Sequence, residues 1–204
     1  MADKPILFSA PMVRAILEGR KTMTRRAIKG VRNDNCLVIK KATKTRMGIV
    51  RHVLEHRPYE IGDRLWVREN GWQRPERSER DMRDGADTWP PYMYDADDDA
   101  PEKEWGWKRR PSIHMPRWAS RITLEVMEVK VERLQDISET DCLCEGVTRL
   151  DGNGTNKFSV HIEGGWFSQP TAAATFRGLW EDINGDGAWE ANPWVAAISF
   201  KRVK

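Results

Sequence analysis

The chain alternates between short stretches with clear hydrophobic periodicity and longer stretches with none. Pro5 to Phe8 reads as a short first strand. The segment that follows places Met12, Val13, Ile16 and Leu17 at the three- and four-residue spacing of an amphipathic helix over 10–18. Ser9 can cap that helix, Pro11 suits its first turn, and Gly19 suits the left-handed position that ends it. Run extended, the next residues would put Lys21, Met23 and Arg25 on one face and Thr22, Thr24 and Arg26 on the other. Ile61-Gly62-Asp63 predicts a tight turn into a strand over 64–69. Residues 121–133 alternate, with Ile122, Leu124, Val126, Val129 and Val131 apolar. The alternation changes phase near Met127, which predicts a long strand carrying a bulge. Ser138-Glu139-Thr140-Asp141 is a capping-box pattern opening a short helix that Gly146 can close. A helix over 170–183 carries Phe176, Leu179, Trp180 and Ile183 on one face, and a last strand covers 194–203.

Between these elements the periodicity fails. Lys29 to Arg57 is polar and basic apart from a strand expected near Leu37 to Ile39. Residues 70–110 are charged and Pro-interrupted and predict a long insertion with little regular structure; 151–169 are Gly-rich and predict a loop with some extended backbone. There is no internal repeat or linker. The expectation is one α+β domain over 1–204, a small mixed barrel with short helices and insertions near 30–57 and 73–105.

Composition narrows the class. Apolar content of 39% and charged content of 32% fit a highly charged soluble surface. No apolar run approaches the roughly 18 residues of a membrane span, and no signal-peptide core follows Met1. Cys36, Cys142 and Cys144 make an odd set without a disulfide framework, so a reducing cytoplasm is expected. Together with His52, His56, His114 and His161 they fit no common zinc spacing, and no metal or cofactor is expected. Asp182-Ile183-Asn184-Gly185-Asp186-Gly187 opens like a calcium loop, but the twelfth position is Pro193 where a bidentate Glu is needed. Asp95, Asp97, Asp98 and Asp99 read as a solvated acidic segment.

Charge is uneven. Residues 1–51 carry a balance of +10 and residues 81–104 a balance of −7, within a net +3. The basic third suggests a polyanion such as RNA or DNA, or is simply neutralised by the acidic segment. Of ten Trp, Trp72, Trp105 and Trp107 lie in polar sequence and are candidates for stacking on bases.

The densest candidate chemistry is Gly19-Arg20-Lys21-Thr22-Met23-Thr24-Arg25-Arg26. A Lys crowded by cations would have its pKa lowered and could act as a base; the alternative is a cationic turn at a helix end leading into a Thr-rich strand. Glu145 falls in the last turn of the capping-box helix, beside the negative end of its dipole. Such a carboxylate calls for a partner cation or a catalytic task, or else is a solvated surface residue. His114 to Arg121 offers a base, two cations and a stacking ring, with Trp118 placed to stack and Arg117 or Arg121 to meet phosphate.

These residues resemble the ASCH superfamily, whose domains have a PUA-like β-barrel. The likeness is carried by the first strand and helix, Gly19 to Thr24, Gly62-Asp63 before a strand, Leu134 to Glu145, and the strand Trp194 to Lys201. Pro111 to Arg121 and Asn192-Pro193-Trp194-Val195 resemble the larger ASCH-like proteins of tailed phages and prophages, which would place the chain in a host cytoplasm. The likeness does not extend to residues near 30–57, 73–105 and 150–168. One branch of the superfamily hydrolyses the amide of N4-acetylcytidine with a Lys, a Thr and a Glu, which fall here on Lys21, Thr24 and Glu145. Around this catalytic set, Arg20, Arg26, Glu69, His114, Arg117, Trp118 and Arg121 are candidate substrate-binding residues. Three functions stand open: an amidohydrolase on N4-acylated cytosine-type bases, a non-catalytic RNA- or DNA-binding module, and a ribonuclease using Lys21 and His114. The expected partner is a modified nucleoside or a single-stranded nucleic acid, not a membrane.

Overall fold

The computed structural model describes residues 3–28, 59–74, 90–98, 101, 106–150, 157–162 and 164–204. Strand β1 (Asp3–Leu7) leads into helix α1 (Ala10–Leu17), then β2 (Met23–Ala27). Next come β3 (Arg64–Arg68), β4 (Gly71–Gln73), β5 (Tyr92–Tyr94), β6 (Lys108–Arg110) and the long β7 (Thr123–Arg133). Helix α2 (Glu139–Cys144), strands β8 (Thr148–Leu150), β9 (Lys157–Ile162) and β10 (Gly165–Gln169), helix α3 (Ala172–Asn184) and β11 (Trp194–Arg202) complete the order. The class is mixed α+β, mostly strands.

The central sheet has the order β1-β3-β7-β11-β2, with β1 parallel to β3 and the other pairs antiparallel. Among the described residues no ladder joins β1 to β2, so the sheet does not close into the barrel that the element order suggests. A side chain bridges the two edges: Arg26 Nη2 donates to the Leu7 carbonyl at 2.6 Å. The phase change near Met127 is a bulge. Phe200 pairs with Val126 and Ser199 with Glu128, so Met127 has no opposite residue.

The stretches without periodicity hold two small sheets, β5-β4-β6 and β10-β9-β8. The first corrects the reading of 70–110 as irregular, and the second that of 151–169 as mainly loop. Three-residue strands such as Tyr92–Tyr94 are too short to show a period. The strand expected near Leu37 to Ile39 lies outside the described residues.

The acidic segment is not simply solvated either. Asp95 pairs with Arg109, Asp97 with Arg121 at 2.7 Å, and Asp98 with Arg14 of α1 at 3.1 Å. These carboxylates fasten β5 and the 3-10 turn after it to the sheet and to α1.

Two apolar clusters carry the packing. One fills the space between α1 and the central sheet, with Val13, Leu65, Ile122, Leu124 and Ile198 fully buried. The other joins α3 to β9 and α2 through Leu134, Cys142, Val160, Phe176 and Leu179. Gly178 lets α3 approach β10: a Cβ there would lie 2.2 Å from the Phe167 ring. Among the described residues no helix is long and apolar enough to cross a membrane.

Candidate active site

The site forms where the turn after α1 meets the end of α2. Gly19, at φ +77°, reverses the chain, and Lys21 N–H then donates to Ala15 O at 3.0 Å. Thr22 N–H donates to Cys144 O at 2.8 Å, tying this turn to the last carbonyls of α2. On the other side, Ser138 Oγ accepts from Asp141 N–H at 3.1 Å, the N-cap its sequence predicts. The helix runs less than two turns and delivers Glu145 at its C-cap, with Gly146 at φ +103° immediately after. A Cβ on Gly146 would only touch Ala15 Cβ at 3.5 Å and Lys21 Cβ at 3.7 Å, ordinary contact distances, so it is the positive φ and not lack of space that calls for glycine here.

Lys21 and Glu145 are both buried, and Lys21 Nζ donates to Glu145 Oε2 at 2.7 Å and to the Glu145 carbonyl at 2.9 Å. The ammonium therefore caps a helix end and pairs a carboxylate at once. Arg25 meets the second oxygen, Nη1 to Oε1 at 3.3 Å. Its Nη2 donates to Glu132 Oε1 at 2.6 Å and to Asp141 Oδ2 at 2.8 Å, and no part of its side chain reaches solvent. Two cations thus face three carboxylates, and Arg26 alongside brings the local charge near zero.

Lys21 has its pKa lowered, but crowding by cations is not the main reason. Burial is the largest cause; the Glu145 carboxylate opposes it, and Arg26 and Arg25 add a smaller push downward. Arg20 is turned to Glu18 Oε2 at 2.7 Å and to the Gly146 carbonyl at 3.3 Å. Burial pushes Arg25 downward, but Glu145, Glu132 and Asp141 together outweigh it and its pKa is raised.

Beside Glu145 lies a small cleft of about 50 Å³, open to solvent. Thr24, Arg25, Arg26 and Glu145 form a polar wall; Phe176, Leu179, Trp180 and Ile183 of α3 form an apolar one. Lys21 stands behind Glu145 rather than in the wall, its side chain 0% exposed. Arg26 reaches over the Phe8 ring, 5.3 Å from its centroid.

The other sequence candidates gather elsewhere. Glu69, 1% exposed, receives Arg121 Nε at 3.1 Å and Nη2 at 3.0 Å. Arg121 also lies 3.9 Å from the centroid of the Tyr94 ring and bonds Asp97, so its guanidinium is committed to the chain itself. His114 sits exposed in a 3-10 turn. Arg117 pairs with Asp3 and lies over Trp66, and Trp118 is 58% exposed with its ring edge-on to Tyr92. None of these five lines the cleft beside Glu145. Trp72 carries Arg109 over its ring, Trp107 is half-buried, and Trp105 is outside the described residues.

Sequence reasoning missed Arg25 as the residue that binds three carboxylates together. Its extended phase with Lys21 was the available signal. It also passed over His161, which lines a second cleft bordering Glu145. Among the described residues no group of His, Cys, Asp and Glu is arranged to hold a metal.

Fold and site together define a mixed α+β protein with a buried Lys–Glu–Arg cluster at the wall of a half-apolar cleft. No protein-family model and no curated protein matches the sequence. Among solved structures the chain is similar to protein EF3133 from Enterococcus faecalis V583, described by the family model DUF984. Identity is 9%, the match covers 100% of this chain and 77% of that chain, and the TM-score is 0.43. At that level the likeness carries no statement about activity.

Proposed function

We propose that the chain is an ASCH-type protein of PUA-like fold that hydrolyses the amide of an N4-acylated cytosine-type base. The observation that carries the reading is the buried Lys21–Glu145 pair at 2.7 Å, whose Glu145 lines a cleft together with Thr24 and Arg26. The substrate class rests on the resemblance of Gly19 to Thr24 and of Leu134 to Glu145. The cleft supports it with one aromatic wall for a planar ring and one polar wall for its edge. A local charge near zero favours a neutral base over a phosphate at this point.

In this reading Glu145, not Lys21, meets the reactants, because Lys21 is wholly behind it. Glu145 takes a proton from a water that Thr24 orients, and the water oxygen bonds to the acyl carbon. The oxyanion that forms faces the Arg26 guanidinium. Glu145 then returns the proton to the N4 nitrogen as the C–N bond breaks, giving the free amino base and a carboxylic acid. Lys21 and Arg25 hold the carboxylate oriented throughout.

The described part of the basic third argues for this reading over a simple phosphate-binding module. Lys4, Arg14, Arg20, Lys21, Arg25 and Arg26 all bond to groups of the chain itself. The ribonuclease reading needs Lys21 and His114 at one site, and no described cleft is lined by both.

The test is to incubate the purified chain with N4-acetylcytidine and follow cytidine, beside Glu145→Gln and Lys21→Met. Release by the wild type, lost in both folded variants, is expected. A folded wild type that releases none, yet binds oligonucleotide with strong salt dependence, would overturn the hydrolase in favour of the binding module.

A further inference from the structure

One face of the central sheet carries cations that no carboxylate meets. β1 and β3 run parallel in register, so Asp3, Pro5 and Leu7 share a face with Arg64, Trp66 and Arg68. The other face of the same strands carries Ile6, Leu65 and Val67, packed in the cluster under α1. On the outward face Leu7 and Arg64 are exposed, and Trp66 and Arg68 are half-buried. The turns over 112–119 flank it. Arg68 Nη2 donates to the Ile113 carbonyl, and the Arg68 and Arg117 guanidiniums lie 5.3 and 5.4 Å from the Trp66 ring centroid. Next to Arg117, the Trp118 ring is 58% exposed and set nearly perpendicular to Tyr92. Four cations, Arg64, Arg68, Arg117 and Lys201, stand here with two carboxylates, Asp3 and Glu125. Arg117 takes Asp3 and Lys201 takes Glu125, each at 3.1 Å. Arg64 lies between those two carboxylates in register and, among the described residues, bonds neither. Arg68 has a backbone carbonyl and a ring for partners, and its Nε is buried without a hydrogen bond. Elsewhere Arg25, Arg109 and Arg121 each meet a carboxylate.

We propose that this face binds single-stranded nucleic acid, with Arg64 and Arg68 meeting phosphates and Trp118 stacking a base. Surplus positive charge calls for an anion, and an exposed indole beside it calls for a planar apolar partner. A single strand supplies both in alternation, whereas a duplex keeps its bases stacked inside and offers the indole nothing. Arg64 and Arg68 stand about 13 Å apart along β3, with Trp66 between them. A guanidinium stacked on a ring still presents its outer N–H groups to a phosphate. The proposal is separate from the hydrolysis proposed above and gives a role to the 113–118 segment, which that hydrolysis leaves unused. Arg121 is outside it, being committed to Glu69 and Asp97. The face does meet the cleft at one residue: Leu7, opposite Arg68, accepts Arg26 Nη2 on its carbonyl at 2.6 Å, and Arg26 lines the cleft.

The experiment titrates the full-length chain into fluorescein-labelled strands of about 12 nucleotides, one of thymidine and one of uridine, and reads polarisation between about 50 and 200 mM NaCl. Neither strand carries an acylated base, so the result does not depend on hydrolysis. Saturable binding of at least one strand, weakening with salt, is expected. Trp118→Ala should weaken it about tenfold, and Trp118→Phe, which keeps a ring, much less. Arg64→Gln/Arg68→Gln should make the slope of log K against log salt shallower by about 1.4. Arg64→Gln alone, which removes a side chain without a partner and so leaves the fold intact, should account for about 0.7 of that. Arg177→Gln, an exposed cation on α3, should change affinity about twofold at most. Circular dichroism melts check that each variant is folded. No binding of either strand at the lowest salt overturns the proposal. An equal loss in Arg177→Gln and Arg64→Gln overturns it too, because that marks diffuse charge. So does a duplex bound as tightly as the single strands, with Trp118→Ala making no difference.

Discussion

Lys21→Met is the sharpest perturbation the cluster offers, because it removes one charge from a buried set and leaves the rest in place. At 2.7 Å and an effective dielectric of about 20, the Lys21–Glu145 attraction is roughly 6 kcal/mol. Removing the ammonium also removes its own desolvation cost of several kcal/mol, and the Met stem keeps most of the apolar packing. What remains is a buried Glu145 carboxylate whose nearest cation is Arg25 at 3.3 Å, already shared with Glu132 and Asp141. The net loss should be about 3–5 kcal/mol, the usual cost of orphaning one member of a buried pair. Glu145→Leu should cost less, since burial already lowers the Lys21 pKa and an unpaired Lys21 can shed its proton. The double variant Lys21→Met/Glu145→Leu should return to within about 2 kcal/mol of wild type, because Arg25 keeps two carboxylates and the site becomes apolar. Urea denaturation followed by the fluorescence of the ten Trp gives all four free energies. The reasoning is refuted if Lys21→Met costs less than about 1 kcal/mol, or if the double variant loses the sum of the two singles.

Three further outcomes follow from the same geometry. The lowered Lys21 pKa means that between its folded value and 10.5 the unfolded chain holds more protons, so folding stability rises with pH in that window and levels above it. Urea melts from pH 7 to 11 should therefore show wild type gaining on the double variant below 10.5, and a flat or falling difference would contradict the burial argument. Cys142 is fully buried and its thiol is pushed up to about 12, so in native protein at pH 8 it should resist iodoacetamide until denaturant is added, as peptide mapping would show. Arg121→Met leaves Glu69, 1% exposed, without its bidentate partner and unfastens Asp97. It should cost about 2–4 kcal/mol in a thermal or urea melt yet leave turnover per folded molecule unchanged; a specific loss of turnover would instead place Glu69 and Arg121 in the substrate path.

What the sequence made legible were features that local chemistry decides. The period of α1, the cap at Ser138 and the bulge at Met127 each follow from a few adjacent residues, and each appears in the fold. Two of the small strands at the 92–110 end carry Tyr92-Met93-Tyr94 and Lys108-Arg109-Arg110, patterns that state no preference; their pairing on β4 is settled by partners far along the chain. The site divides the same way. Lys21, Thr24 and Glu145 stand out because a motif spacing and a helix end mark them. Arg25 does not, although it touches three carboxylates, because Glu132, Asp141 and Glu145 are 107 to 120 residues away and only the fold brings them to one guanidinium. The mistaken cause assigned to Lys21 has the same origin. Neighbours in sequence suggested cations, whereas in space the nearest charge is a carboxylate and the dominant force is the loss of water. A cation-crowded lysine would be a free base waiting for substrate. A buried lysine paired to a carboxylate is a device for holding that carboxylate, which in the hydrolysis proposed above moves the proton-carrying role one residue outward, to Glu145 at the cleft wall.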